Sequence, residues 1–390
     1  MPPPNTLRAL IDVTKTTQAL LSHYQASLSP PNNTSSTTAT AAGDQLASPL
    51  DTAKACTTLL KSHTTTLSLL LLTPPLTPSA LITKIGDVSS SVLSGLVAAA
   101  VTGSDPITGN NSANGLGSLM KTELRGGVLR VLAAWGEVLT LVLRLAERRQ
   151  SELDGKADTR KKKDEGPTEA ERQSVLATTG MVWEACDALL KFCDNGIVGL
   201  VVKKAEEWRS VLLDAVEELK EWGEDVDGEE DELAGSDDEF ADDDDIFGAA
   251  NKLGKEDVKL KALLDTSVKK LKMVGMLYQA LIKRRLKTFP KSPSKPTAST
   301  EEKNGGGKES QQDVTAKLEQ LMVHLRAVPE GVDDLASAFY DLDEGEAKVM
   351  FDKCCSEAKK AVAMVRQSWN GTDDEFTVWS GKWVNAVDAE

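Results

Sequence analysis

Aromatic residues make up only 4% of this 390-residue chain, and histidine occurs three times. The first scarcity argues against a β-sandwich, where β-branched and aromatic residues dominate; the abundance of Ala, Leu, Val, Lys and Glu favours helices. The second leaves acid–base and metal chemistry little to work with. His23, His63 and His324 each stand apart from any carboxylate or cysteine pattern that suggests a metal site or a catalytic pair. The five cysteines, Cys56, Cys186, Cys193, Cys354 and Cys355, form an odd, loosely spaced set, as expected of buried reduced thiols rather than a disulfide framework. The chain does not open on a charged segment followed by an apolar one. Its longest apolar runs, Leu67–Leu72 and Leu96–Val101, fall far short of the roughly 20 residues of a bilayer span. The expectation is a soluble intracellular protein without a membrane partner.

Positive charge is missing altogether from Glu224–Asp245, EDVDGEEDELAGSDDEFADDDD, which holds 14 carboxylates in 22 residues. This stretch carries nearly all of the net charge of −15. So dense a block of like charge has too little apolar surface to offset its backbone entropy, and it reads as a solvated, disordered connector. The acidity also weighs against direct binding of nucleic acid, which needs a concentrated basic face. On either side, an apolar content of 40% supports real cores. The expected fold is all-α: two helical bundles of long amphipathic helices joined by an acidic disordered linker. Residues 1–48 form an N-terminal helix and low-complexity loop, 49–223 the first bundle and 224–254 the linker. Residues 255–390 form a second bundle, interrupted by a disordered loop at about 291–311.

The helices follow from stripes and caps. Leu7, Leu10, Ile11, Leu20 and Leu21 mark the first. Ser48-Pro49-Leu50-Asp51 reads as cap, first-turn proline and acid for a helix to about Leu72, and Thr77-Pro78 repeats the device for one from Ser79 to about Val101. Leu124, Val128, Val131, Leu132, Trp135, Val138, Leu139, Val142 and Leu145 step by three and four, one buried face. Thr168-x-x-Glu171 is a capping box, and Asp194-Asn195-Gly196 a turn. Val201, Ala205, Trp208, Leu212, Ala215, Leu219 and Trp222 then give a heptad-like seam up to the acidic run. Beyond it, Leu260, Leu264, Leu271, Val274, Tyr278 and Leu281 line a helix whose other face carries Lys259, Lys261, Lys269, Lys270 and Lys272. One helix through Val314, Leu318, Leu321 and Leu325 and another over Val332–Tyr340 follow. Then comes one through Phe351, Cys354, Ala358, Ala361, Val365 and Trp369, and a short last helix capped by Thr372-x-x-Glu375.

Local motifs assign no catalytic, cofactor-binding or metal residue, and no cofactor is expected. Gly305-Gly306-Gly307-Lys308 is followed by Glu309 where a phosphate loop needs Ser or Thr, so it reads as linker. Arg160-Lys161-Lys162-Lys163 reads as a solvated helix end or as a nuclear-import patch. Ser236, followed by Asp237-Asp238-Glu239, has the surroundings that acidophilic kinases favour, which makes a phosphoprotein the expectation. In Arg284-Arg285-Leu286, Lys287 and Thr288 intervene before Phe289, the wrong spacing for a short cyclin-docking element. A basic helix end favoured by the macrodipole is the plainer reading.

Several short segments are similar in kind and order to the cyclin-D-binding family, also called the Grap- and cyclin-D-interacting family. They are Val182-Trp183-Glu184-Ala185-Cys186-Asp187, then Asp194-Asn195 and Val216-Glu217-Glu218-Leu219. Further on stand Asp245-Ile246-Phe247-Gly248 at the close of the acidic run, and Val332-Asp333-Asp334-Leu335-Ala336 with Tyr340. The resemblance spans roughly Leu81 to Trp369, while the first 80 residues and Lys291–Gln312 depart from it. It implies a non-enzymatic, all-helical regulator of cytoplasm and nucleus that binds D-type cyclins and restrains cell-cycle progression. It also implies a helix-loop-helix region without a DNA-binding basic segment. Cyclins or helix-loop-helix proteins are the partners it implies. From the residues alone, a helical-bundle scaffold of cytoskeletal or adhesion type stays open as the alternative.

Overall fold

A computed structural model describes residues 4–29, 48–101, 117–154, 166–224, 253–254, 257–290 and 311–389. The fold is all-α, and no strand occurs among the described residues. The helices are α1 (Pro4–Leu28), α2 (Pro49–Leu72), α3 (Pro78–Asp87), α4 (Ser94–Val101), α5 (Ser118–Asp154), α6 (Glu169–Glu224), α7 (Val258–Leu281), α8 (Gln311–Tyr340), α9 (Glu344–Met364) and α10 (Glu375–Asp388). A π segment, Val88–Leu93, joins α3 to α4, and a second, Ile282–Leu286, extends α7. The chain divides into two compact units, Met1–Gly196 and Ile197–Glu390. The division falls inside α6 at Gly196, whose φ of 59° and ψ of −157° lie outside the helical region. Asp194-Asn195-Gly196 is thus the expected turn, and α6 consists of two arms. The second arm, 197–224, packs in the second unit rather than with the first bundle, where the sequence reading placed it.

In the first unit, α1 lies against α5 and α3, while α2 lies against α4 and its π segment. The predicted stripe of α5 forms the centre: Leu124, Val128, Val131, Leu132, Trp135, Leu139 and Val142 are buried. Helix α2 buries Ala53, Thr57, Leu60, Thr64, Leu67 and Leu71 at alternating steps of four and three. Two of these are threonines, and each returns its hydroxyl to its own helix: Thr57 Oγ1 donates to Ala53 O at 2.6 Å and Thr64 Oγ1 to Leu60 O at 2.8 Å. The hydroxyls are thereby satisfied and the methyls face the core. Pro78–Val101 runs 24 residues and, contrary to expectation, is long and apolar enough to cross a membrane. Its residues Leu81, Ile85, Val88, Val92, Leu93 and Leu96 are buried in this unit's core. Ser48 and Thr77 occupy the expected cap positions, but neither side chain makes a capping hydrogen bond. Thr168 and Glu171 do form the capping box: Thr168 N donates to Glu171 Oε2 at 2.8 Å and Glu171 N to Thr168 Oγ1 at 3.3 Å.

In the second unit, α8 and α9 form an antiparallel hairpin. Leu318, Leu321, Leu325, Val328, Val332, Leu335 and Phe339 of α8, and Ala347, Phe351, Cys354, Ala358 and Ala361 of α9 with Val365 just past its end, are buried at steps of three and four. This is the heptad spacing of helices that lie side by side. The turn between them places Leu342 at φ 56°, and Asp343 Oδ1 caps α9 by accepting from Glu346 N at 2.9 Å. The second arm of α6 departs from the predicted seam. Val216 and Gly223 are buried where Ala215 and Trp222 were expected, because the stripe follows the roughly 3.6-residue turn of a straight helix rather than a heptad. Gly223 and Gly275 let helices meet closely. A β-carbon at Gly223 would stand 2.2 Å from Leu264 Cδ2, and one at Gly275 would stand 2.8 Å from Leu213 Cδ2.

Two further expectations change. The segments expected as separate helices on either side of Pro329 form one helix, α8. Helix α10 is capped by Asp374, whose Oδ1 accepts from Thr377 N at 3.1 Å while Thr377 Oγ1 accepts from Asp374 N at 3.1 Å. Thr372 belongs instead to the preceding turn, its hydroxyl 2.7 Å from that of Ser368.

Candidate functional site

The family-like segment of the first unit lies on the first arm of α6, beside α2. Val182 and Cys186 point into the core, fully buried, and Ala185 is half-buried. The opposite edge is wet: Trp183 is 40% exposed, and Asp187, Asp194 and Asn195 are exposed. Lys61 of α2 reaches across, its Nζ 2.6 Å from Asp187 Oδ1 and 5.7 Å from the centre of the Trp183 ring. One heptad away along both helices, Lys54 pairs with Asp194. These two rungs define an antiparallel register. Carried on by a heptad, it sets Ser68 opposite Gly180; four residues further, it sets Leu72 opposite Leu176.

Leu69 and Leu176 are more than half exposed. On α6, Leu176 and Trp183 lie two turns apart on one face and make a short apolar strip to which Gly180 adds no side chain, while Leu69 is exposed on α2. Exposed leucines occur singly on most surfaces, whereas a half-exposed tryptophan is the residue type that anchors interface centres. The flanking ion pairs are exposed and screened by solvent, and they add little to stability. The Asp187 pair holds Lys61 over the Trp183 ring in a cation–π contact.

The remaining candidate residues lie in the second unit or outside the described residues. Val332 and Leu335 are buried in the α8/α9 hairpin, Asp333 is exposed, and Asp334 Oδ2 lies 3.7 Å from Lys353 Nζ. Ser236, Ile246, Phe247, Gly248, Arg160–Lys163 and Gly305–Lys308 lie outside the described residues.

The weighed docking element Arg284-Arg285-Leu286 is not available to a partner, and Arg285 is no ordinary basic helix end. Arg285 and Leu286 are buried. All five N–H groups of the guanidinium are engaged. Two meet Asp374, at 2.7 and 2.9 Å. Three meet the carbonyls of Val365 (2.6 Å), Arg366 (2.9 Å) and Arg284 (2.9 Å). Phe376 covers its face at 4.4 Å. The bond from Arg285 holds the Asp374 carboxyl well below the usual carboxylate range, more strongly than partial burial raises it.

The histidine reading needs one correction as well. Folding brings His324 Nδ1 to 2.6 Å from Glu357 Oε2, a pairing between α8 and α9 that chain order hides. Glu357 also accepts from Lys360 Nζ at 2.7 Å. Among the described residues no group of three or more His, Cys, Asp or Glu side chains is placed to hold a metal. The thiols are free, and burial pushes Cys186 and Cys354 up to about 12 and Cys193 and Cys355 up to about 11, so they are poor nucleophiles at neutral pH.

Residues 52–225 match the family model described as Grap2 and cyclin-D-interacting, N-terminal. No curated protein matches the chain. The match begins at the start of α2, so α2 falls inside the family region, against the expectation that the first 80 residues depart from it. It takes in both helices of the candidate face and ends at the first residues of the acidic run. Val332–Leu335 and Ile246–Gly248 lie outside the matched span.

Proposed function

From the match of residues 52–225 to the Grap2 and cyclin-D-interacting family model, we propose that this protein is a non-enzymatic interaction regulator. It binds a D-type cyclin or a helix-loop-helix protein through the α2/α6 face and so restrains cell-cycle progression, in nucleus and cytoplasm. The observation that carries the reading is the half-exposed Trp183, held by Lys61 two turns from the exposed Leu176 on the same helix, within the matched span. A rigid aromatic anchor with a leucine on the same face suits the apolar face of a partner helix. The raised thiol pKa values support a role without covalent chemistry.

The test is a binding titration of the purified chain against a purified D-type cyclin. Trp183→Ala and Leu176→Asp should each weaken binding by at least about tenfold, since interface anchors of this kind are worth roughly 2 kcal/mol or more. Circular dichroism should stay unchanged, because both side chains are largely outside the core. Undiminished binding by the double variant would remove the face. Recovery of actin or junction proteins from cells, without any cyclin or cyclin-dependent kinase, would favour the scaffold instead.

A further inference from the structure

Between Asp257 and Pro290 the chain carries nine Lys and Arg against two Asp. Part of this charge is accounted for. Arg285 is sunk on Asp374, Arg284 meets Glu375 at 2.6 Å, Lys272 lies 3.8 Å from Glu217, and Lys287 lies 3.9 Å from Glu206. Lys259, Lys261, Lys269 and Lys283 are exposed and have no ion-pair partner among the described residues. Lys261, Asp265, Lys269, Lys272 and Met276 follow one another at steps of four and three, so they share an outer stripe of α7 about a third of a turn from the buried Leu264, Leu271 and Tyr278.

The polyanion nearest in sequence is the acidic run, and both of its ends are brought to this helix. On the upstream side, Gly223 abuts Leu264 of α7, immediately before the run. On the downstream side, Leu253 is fully buried and Gly254 N donates to Asp257 Oδ2 at 3.0 Å, which pins the chain just ahead of α7. The described residues on both sides of 225–252 are therefore fixed at the N-terminal half of α7. From Asp245 to Leu253 is eight residues, a reach of about 28 Å when extended, and α7 is about 36 Å long. Carboxylates tethered between two such anchors have an effective concentration of order millimolar near the lysines.

We propose that the lysine stripe of α7 is the docking surface for the chain's own acidic run, residues 225–245, which withholds that stripe from other polyanions. Each ion pair alone is weak and exposed, so the association is multivalent and falls steeply with salt. It needs no regular structure in the run.

Heparin serves as the polyanion probe, titrated into the full chain and into a full-length variant whose 13 carboxylates in 225–245 are changed to Asn and Gln. At about 0.05 M salt the neutralised chain should bind heparin at least about tenfold more tightly than the wild type, and the gain should vanish near 0.5 M. Adding Lys261→Glu, Lys269→Glu and Lys283→Glu should abolish it. Equal affinities for wild-type and neutralised chains would overturn the proposal, and so would a gain that survives the three lysine changes. Carbodiimide coupling of mixed light and isotope-labelled chains supplies the second readout. Lys261 and Lys269 should couple to 225–245 within one copy. Coupling only between copies would assign the stripe to a second molecule and overturn the proposal.

Discussion

The hydroxyl of Tyr278 on α7 donates to the carbonyl of Leu325 on α8, four residues before Pro329. Proline has no N–H, so Leu325 is the carbonyl that the α8 ladder leaves without its usual partner. The tyrosine fills that gap from a neighbouring helix, and α8 continues through its proline.

Tyr278→Phe should therefore cost about 1–3 kcal/mol, the penalty for a buried carbonyl left bare. Pro329→Ala restores an N–H at that place, and in its background the same change should cost markedly less. Urea unfolding of the four chains in a double-mutant cycle measures the coupling. Additive costs would refute the assignment of the bond.

Arg285→Met leaves Asp374 and the carbonyls of Val365 and Arg366 without their partner and should destabilise the second unit by about 1–3 kcal/mol, less than a fully buried pair because Asp374 stays partly solvated. Asp374 sits below its ordinary value when folded, chiefly through the bond from Arg285. Its contribution is thus fully present above the ordinary Asp value of 3.8 and is lost as pH falls below it toward the depressed folded value. Asp374→Asn should flatten the fall of stability between about pH 4 and pH 2. Thermal melts across that range check this, and an unchanged slope would count against it.

Gly275→Ala places a methyl against Leu213 and should cost about 1–3 kcal/mol by overpacking. Leu213→Ala in the same chain should recover part of that loss, because the β-carbon then meets vacated space. Melting temperatures of the single and double variants decide, and no recovery would mean the clash lies elsewhere.

Leu342 holds a left-handed φ of 56° between α8 and α9, a conformation that costs a residue with a β-carbon about 1 kcal/mol. Leu342 is half-buried, so little apolar contact is lost on its removal. Leu342→Gly should leave stability unchanged or raise it by up to about 1 kcal/mol. A clear loss in denaturant midpoint would show that its side-chain contacts outweigh the strain.

Helical class and most core positions were legible because three-and-four spacing is a local property. The α5 stripe around Trp135 is the clearest case, and the glycine turn at Gly196 was equally plain. What escaped depends on which helices meet. Nothing local distinguishes Arg285 from its neighbour Arg284, yet one is sunk on Asp374, 89 residues away, and the other is exposed. The continuity of α8 was hidden because Tyr278, which makes Pro329 tolerable there, lies about 50 residues upstream. Trp183 was legible as a family-like residue, but its exposure came only with the pairing of Lys61 to Asp187. Across α6 the predicted seam drifted by one residue because a straight helix and a heptad differ by about 20° over seven residues.

The matched family region and the compact units do not share a boundary: the match runs to residue 225, the first unit to Gly196. A recombinant fragment cut at the family limit would carry the second arm of α6 without α7. Val201, Ala205, Leu212, Val216 and Leu219, all buried in the whole chain, would then be stripped bare along about 30 Å of helix. Such a fragment should be sticky and prone to self-association. A fragment ending at Gly196 would keep the Trp183 strip and discard that liability.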